Sequence, residues 1–101
     1  MVPTILTKNP QKGQHGQEIS KQKYDTVRAA IMEVLAVTFP LTPKELTKSV
    51  VLRLQKTPFP GDIAWYTNVV MLDLEARKYL QAEENPKTQV KFYKVWPELP
   101  L

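Results

Sequence analysis

The fold is decided by residues 42–96, TPKELTKSVVLRLQKTPFPGDIAWYTNVVMLDLEARKYLQAEENPKTQVKFYKVW. Thr42 and Glu45 have the spacing of a capping box, and Pro43 stands at the first helical position, where its missing N–H costs nothing. These signals predict a helix that continues to about Gln55. Its inward face is predicted from the apolar residues that recur at helical spacing, which are Leu46, Val50 and Leu54.

A proline-rich linker and another helix are predicted next. The linker, Thr57 to Gly61, can form neither helix nor central strand, and its Phe59 is expected to anchor the loop on the core. Asp62 is a good N-cap residue because its carboxylate can accept from the free N–H groups of a first turn. It predicts a helix from Ile63 to about Lys78.

The end of the chain predicts a hairpin. Tyr79 to Glu83 is interpreted as a strand and the following segment, residues 84–88, as a turn. Gln89 to Trp96 is the returning strand, because it is rich in aromatic and β-branched residues. Pro97 ends it.

One further helix precedes residue 42. Ser20 is suited to cap it, and Ile19 with Tyr24 can form a hydrophobic staple across the cap. The helix is expected to reach about Val37 and to stop before Pro40. Its inward face is predicted to comprise Tyr24, Val27, Ile31, Val34 and Leu35.

The element order is helix, helix, helix, strand, turn, strand, which is the layout of a winged helix-turn-helix domain. The predicted fold class is therefore α+β, with three helices and a C-terminal β-hairpin wing. The domain is assigned to residues 19–96. Residues 1–18 are expected to form an arm, either flexible or laid along the surface, and residues 97–101 a short tail.

Two resemblances support this layout. Residues 74–80, LEARKYL, resemble the junction between the recognition helix and the first wing strand of winged-helix proteins. Lys78 stands where a glycine usually follows, so the local geometry is expected to differ there. A broader pattern resembles a small family of bacterial winged-helix-like proteins of unknown function. It consists of Lys23-Tyr24-Asp25, Pro60-Gly61, Trp65-Tyr66 and residues 72–77, LDLEAR. This resemblance implies a fold and no established activity.

Positive charge favours one function, double-stranded DNA binding by a regulatory protein. The net charge is +4, and residues 1–56 hold nine bases against four acids. The candidate DNA contacts are Lys44, Lys48, Arg53 and Lys56 in the second helix, Asn68 in the third, and Lys87, Lys91 and Lys94 in the hairpin. The charge of the third helix argues against DNA binding, because residues 62–77 hold three acids and one base. Asp73 and Glu75 are expected to face or flank a polyanion unfavourably.

An apolar pattern favours the alternative, a protein-binding or dimerisation module. The third helix carries one stripe suited to the core (Ile63, Tyr66, Val70, Met71 and Leu74) and a second made of Trp65, Val69, Leu72 and Ala76. A helix that is apolar on two sides is usually covered on two sides. The cover for the second stripe could be the arm, the tail with Trp96 and Leu99, or a partner chain. Alternatively, Trp65 packs on the wing.

Other classes of function are not expected. There is no cysteine, and the only histidine, His15, lies in the arm between two glycines, so a histidine base is not expected. No residues have metal-ligand spacing, so neither an enzyme nor a cofactor is predicted. No apolar run is long enough to span a membrane. Without a signal peptide, the expected location is cytoplasmic.

Overall fold

The computed structural model describes residues 3–10, 13, 16–38 and 40–95, with Lys94 and Val95 described by their backbone alone. His15, Trp96, Leu99 and the predicted tail lie outside these residues. Three helices and two small antiparallel sheets make an α+β fold, which agrees with the predicted class at that level. The elements are β1 (Thr4–Leu6), β2 (Glu18–Ser20), α1 (Lys21–Val37), α2 (Pro43–Leu54), α3 (Ile63–Ala76), β3 (Leu80–Glu84) and β4 (Lys91–Val95).

All three helices begin where the sequence predicts. Ser20 Oγ accepts from the Lys23 N–H at 3.4 Å, and Asp62 Oδ1 accepts from the Trp65 N–H at 3.0 Å. In α2 the capping box is complete, since Thr42 Oγ1 accepts from the Glu45 N–H and Glu45 Oε1 accepts from the Thr42 N–H. The hydrogen bond from the Thr42 N–H, with a smaller contribution from the Thr42 hydroxyl, lowers the pKa of the Glu45 carboxyl because it favours the charged form.

The core is built from the inward faces of these helices. Every apolar residue predicted to face inward on the first two helices is buried. In α3 the residues Val70, Met71 and Leu74 are buried, while Ile63 and Tyr66 are half-buried at its edge. Phe59 in the linker packs against the same cluster, as predicted.

The end of α3 differs from the prediction. The helix stops at Ala76, two residues early, and Lys78 adopts the left-handed conformation with φ 67°. The Tyr79 N–H bonds the Leu74 carbonyl at 2.8 Å and the Lys78 N–H bonds the Glu75 carbonyl at 3.1 Å. These two bonds form a Schellman motif. The expectation that lysine would alter this geometry was wrong, because the pair of bonds holds Lys78 in the conformation that glycine usually adopts.

The hairpin is attached to the helices along β4. The strands pair antiparallel from Leu80 opposite Val95 to Glu84 opposite Lys91, so β3 begins one residue later than predicted. Beyond the hairpin, Leu41 and Tyr93 exchange two backbone hydrogen bonds, which continue the sheet into the connection between α1 and α2. The hairpin is therefore fixed to the helical core at its base.

The arm contains a strand that the sequence analysis did not predict. Thr4–Leu6 pairs antiparallel with Glu18–Ser20, and the Pro3 carbonyl accepts from the Lys21 N–H at the start of α1. Thr7, 3% exposed, bonds Gln17 through both its backbone N–H and its hydroxyl. The described part of the arm is thus ordered by hydrogen bonds to the segment that leads into α1.

Candidate functional site

The outward face of α3 is small, neutral and partly aromatic. Asp62 caps the helix at its positive end, where a carboxylate is favourable. Beyond the cap, Ala64, Trp65 and Asn68 are exposed, and the Trp65 side chain is 43% exposed. The Trp65 ring meets the Tyr66 ring edge-on, with centroids 4.9 Å apart and planes at 85°. The two rings therefore do not form a flat platform on which a base could stack.

Asp73 is entirely buried, which contradicts the expectation that it would face or flank a polyanion. Its carboxylate accepts from the Arg77 Nε at 2.8 and 2.9 Å, from the Lys8 backbone N–H at 2.8 Å, and from the Tyr24 hydroxyl. Asp73 thus joins the arm, α1 and α3. Burial, together with the hydrogen bond to Asp73, raises the pKa of the Tyr24 hydroxyl well above its usual value.

Glu75 is also engaged within the chain. Its Oε1 accepts from the Tyr93 hydroxyl at 2.6 Å and pairs with the Lys91 Nζ at 3.3 Å. Burial and the bond to Glu75 raise the pKa of the Tyr93 hydroxyl. Both carboxylates of α3 are therefore directed at neighbouring elements, and the acidity counted from the sequence is largely absent from its outward face.

The second apolar stripe of α3 lies next to the arm. Val69 is only 8% exposed, while Leu72 and Ala76 are half-buried. A cavity of about 160 Å³ lies between stripe and arm, lined on one side by Trp65, Val69 and Leu72 and on the other by Thr7, Lys8 and Gly16. Of the three predicted interface residues, Val69 is buried, so a surface here consists mainly of Trp65 with part of Leu72.

The predicted DNA contacts of α2 divide into free and paired cations. Lys44, Lys48 and Lys56 are exposed, and within the described residues none of them forms an ion pair. Arg53 is also exposed, but its Nη1 lies 2.6 Å from the Glu33 Oε2 of α1. The free positive charge is therefore carried by Lys44 and Lys48 on α2 and by Lys56, which lies beyond the end of the helix at Leu54 and not within it as predicted.

The predicted DNA contacts outside α2 also include both exposed and paired side chains. Asn68 is exposed on α3, and Lys87 is exposed in the hairpin turn, where its backbone N–H donates to Asn85 Oδ1. Lys91 is paired with Glu75 and lies over the Tyr93 ring at 4.9 Å. The Lys94 side chain lies outside the described residues.

The sequence pieces behind the family resemblance meet in two clusters. In the first, Lys23 lies over the Tyr66 ring at 4.9 Å and within 3.3 Å of its hydroxyl. Gly61 approaches the same ring, since a Cβ there would lie 3.0 Å from Tyr66 Cε2. The second cluster is the set of bonds around Asp73. Both clusters fasten helices to each other, so these residues of the pattern contribute to packing.

The described ranges contain neither a metal-ligand cluster nor a membrane-spanning helix. Among those residues there is no group of three or more His, Cys, Asp or Glu side chains placed to hold a metal ion. Nor does any described helix combine the length and apolarity that a membrane crossing requires.

The fold and these contacts therefore define an α+β domain with an ordered arm and two internal polar clusters. The chain belongs to a family of unknown function (DUF6958), whose model matches residues 4–90. The match begins at the first residue of β1 and therefore includes the arm. No curated protein and no solved structure shows significant similarity to the chain.

Proposed function

We propose that this protein is a winged-helix domain that binds double-stranded DNA, in the manner of a transcriptional regulator. The fold supports the proposal through its three helices and the hairpin that Leu41 ties to them. The observation that carries it is the distribution of charge. Asp73 and Glu75 are engaged internally, whereas α2 exposes lysines without acidic partners among the described residues. Neither catalysis nor a cofactor is part of the proposal.

The exposed side chains define how a duplex would be bound. Asn68 can accept and donate to the edge of an adenine in the major groove, and the Trp65 indole N–H is a further donor. Lys44, Lys48 and Lys56 would neutralise phosphates, together with Lys87 at the tip of the hairpin. Phosphate contacts supply affinity and orientation, and Asn68 supplies the main source of sequence preference.

A salt titration against generic duplex DNA tests the proposal. Four phosphate contacts predict that log K falls with log salt at a slope of about −3.6. Replacing Lys44, Lys48 and Lys56 by glutamine should bring the slope to about −0.9. Lys21→Gln is a control, because Lys21 is already paired with Asp25 on α1. Absence of binding at low salt, or an unchanged slope in the triple variant, contradicts the proposal.

One observation favours a second candidate, a protein-binding or dimerisation module without DNA binding. The Trp65 side chain remains 43% exposed although its neighbour Val69 is covered, and an exposed tryptophan is a common anchor of protein interfaces. Light scattering of the wild type and of a Trp65→Ala, Leu72→Ser variant separates the candidates. Self-association that this variant abolishes without unfolding supports the second candidate, and a monomer in both cases counts against a homodimer.

A further inference from the structure

We propose that the groove between the end of α1 and the second half of α2 binds an acidic amphipathic segment of a partner protein. This α1–α2 groove has a volume of about 470 Å³ and is lined by Val34, Val37, Ser49, Leu52, Arg53 and Lys56. It is a different surface from the outward face of α3. The proposal adds a protein partner to the DNA binding proposed above, and the two ligands would compete for Lys48 and Lys56.

The groove is the place where two exposed aliphatic side chains meet. Val37 is 78% exposed and Leu52 is 51% exposed, and they belong to different helices. Val34 lies beneath them at 6% exposure and connects the groove to the core. Two large apolar side chains on one concave surface are suited to the apolar face of a helix.

Positive charge flanks the apolar part of the groove. Lys48 lies one turn before Leu52 on the same face of α2. Lys56 lies just beyond the last helical residue, Leu54, and lines the groove. Neither lysine has an ionic partner within the described residues, and both are exposed. Arg53 is already neutralised by Glu33. The unmatched charge is therefore positive, and the complementary segment has an apolar face bordered by carboxylates.

A protein segment fits this groove better than a nucleic acid does. Phosphates would neutralise Lys48 and Lys56 but would leave Val37 and Leu52 without an apolar partner. On α2 the lining residues extend from Ser49 to Arg53, which is about 6 Å at the rise of an α-helix, and Lys56 follows the end of the helix. Two apolar side chains four residues apart on a partner helix lie about 6 Å apart along its axis. Glutamates on either side of them can reach the lysines, so one segment can engage both the aliphatic and the basic groups.

The test uses the full chain, labelled for NMR, and a short synthetic helical peptide. The peptide carries two leucines four residues apart with glutamates on either side, and a scrambled peptide of the same composition is its control. We expect the ordered peptide to shift the methyl resonances of Val37 and Leu52. Leu52→Ser and Val37→Ser should each weaken binding about tenfold, as loss of an apolar anchor does.

Matched variants separate this proposal from DNA binding. Leu6→Ser removes an aliphatic side chain that is 66% exposed on β1, so it should leave peptide binding unchanged. Leu52→Ser should leave the affinity for duplex DNA unchanged, because no phosphate contact is assigned to Leu52. All three variants replace exposed side chains, and circular dichroism should show that they remain folded.

Several results would overturn the proposal. They are equal shifts with the scrambled peptide, shifts confined to α3, and the absence of any shift at Val37 and Leu52. Methyl shifts at both Val37 and Leu52 with duplex DNA that are as large as those with the peptide would assign the groove to nucleic acid. Displacement of the peptide by DNA alone would not, because both ligands use Lys48 and Lys56. Shifts that depend on protein concentration without peptide would assign it to a second copy of the chain.

Discussion

The second and third helices place their charges in opposite ways. In α2 the charged side chains are exposed, and Lys44, Lys48 and the following Lys56 have no ionic partner within the described residues. In α3 both carboxylates bond to other elements, and one of them is entirely buried. The comparison teaches that the formal charge of a helix is not the charge of its surface. A helix that counts as acidic in the sequence can present a neutral face.

The two helices also differ in the polar contacts that they make with other elements. The arm, α1 and β4 each bond to a carboxylate of α3, so α3 is central to the stability of the domain. Apart from the Arg53–Glu33 pair, the outward side of α2 has no comparable contacts among the described residues. We therefore expect substitutions in α3 to change stability and substitutions on α2 to change binding.

The largest effect is expected from Asp73→Ala. The substitution leaves Arg77, the Tyr24 hydroxyl and the Lys8 N–H without their shared acceptor. Each buried donor left without an acceptor costs about 1–3 kcal/mol, so we expect a total loss of about 3–5 kcal/mol of unfolding free energy, which urea denaturation measures. Lys48→Gln on α2 is the matched control and should cost less than about 0.5 kcal/mol. Equal losses in the two variants would contradict the comparison between the helices.

A smaller loss of unfolding free energy is expected from Gly16→Ala. The substitution should move the arm away from α3. A Cβ at position 16 would lie 1.8 Å from the Thr7 carbonyl oxygen, so the backbone must move. We expect a loss of about 1–3 kcal/mol and faster hydrogen exchange of the Lys8 amide, which bonds Asp73. Gly13→Ala is the control, since a Cβ there meets no atom within 4 Å. It should destabilise through its left-handed φ of 82° alone and keep the Lys8 amide protected.

Alkaline pH should destabilise the domain through Tyr24 and Tyr93, the two tyrosines that bond the carboxylates of α3. The pKa of Tyr24 is raised in the folded state above its ordinary value of 10.0, so the unfolded chain loses this proton first. Stability is therefore complete below about pH 10 and falls above it, by at most about 1.4 kcal/mol per pH unit for one tyrosine. Tyr24→Phe should flatten this fall in urea denaturation at pH 9 to 11. The same slope in variant and wild type would show that Tyr24 is not responsible.

The smallest expected effect is a gain in stability, and it comes from a substitution at the end of α3. Lys78 occupies a left-handed conformation, which costs an ordinary residue about 1–2 kcal/mol. Lys78→Gly removes this cost and adds some entropy to the unfolded chain, so we expect a net gain of about 0.5–1 kcal/mol. Lys78→Ala should give no such gain. Thermal denaturation distinguishes the two variants.

The sequence predicts the helices well because their signals are local. Ser20, Thr42 and Asp62 each bond an N–H within three residues, and the apolar faces follow the helical period. The strands of the arm are different. Each has three residues, and their pairing joins Thr4 to Ser20 across a connection without periodic apolar residues. Such short strands do not show the alternation of apolar and polar residues from which a strand is predicted.

The role of Asp73 could have been predicted, although it was not. Asp73 follows Val70 by three residues and precedes Arg77 by four, which places it on the core face beside a cation. That position favours a buried ion pair over a solvated carboxylate. The other two partners are not predictable from spacing, because Lys8 is 65 residues away and Tyr24 is 49 residues away. Only the packing of the three segments brings them together.

The bond between Lys8 and Asp73 also constrains how the chain folds during synthesis. The arm leaves the ribosome first, but its acceptor is made 65 residues later, after roughly 3–13 s at usual translation rates. Throughout this interval the arm can pair only with the segment that leads into α1. A segment that is made before most of the domain is therefore among the last to reach its final place.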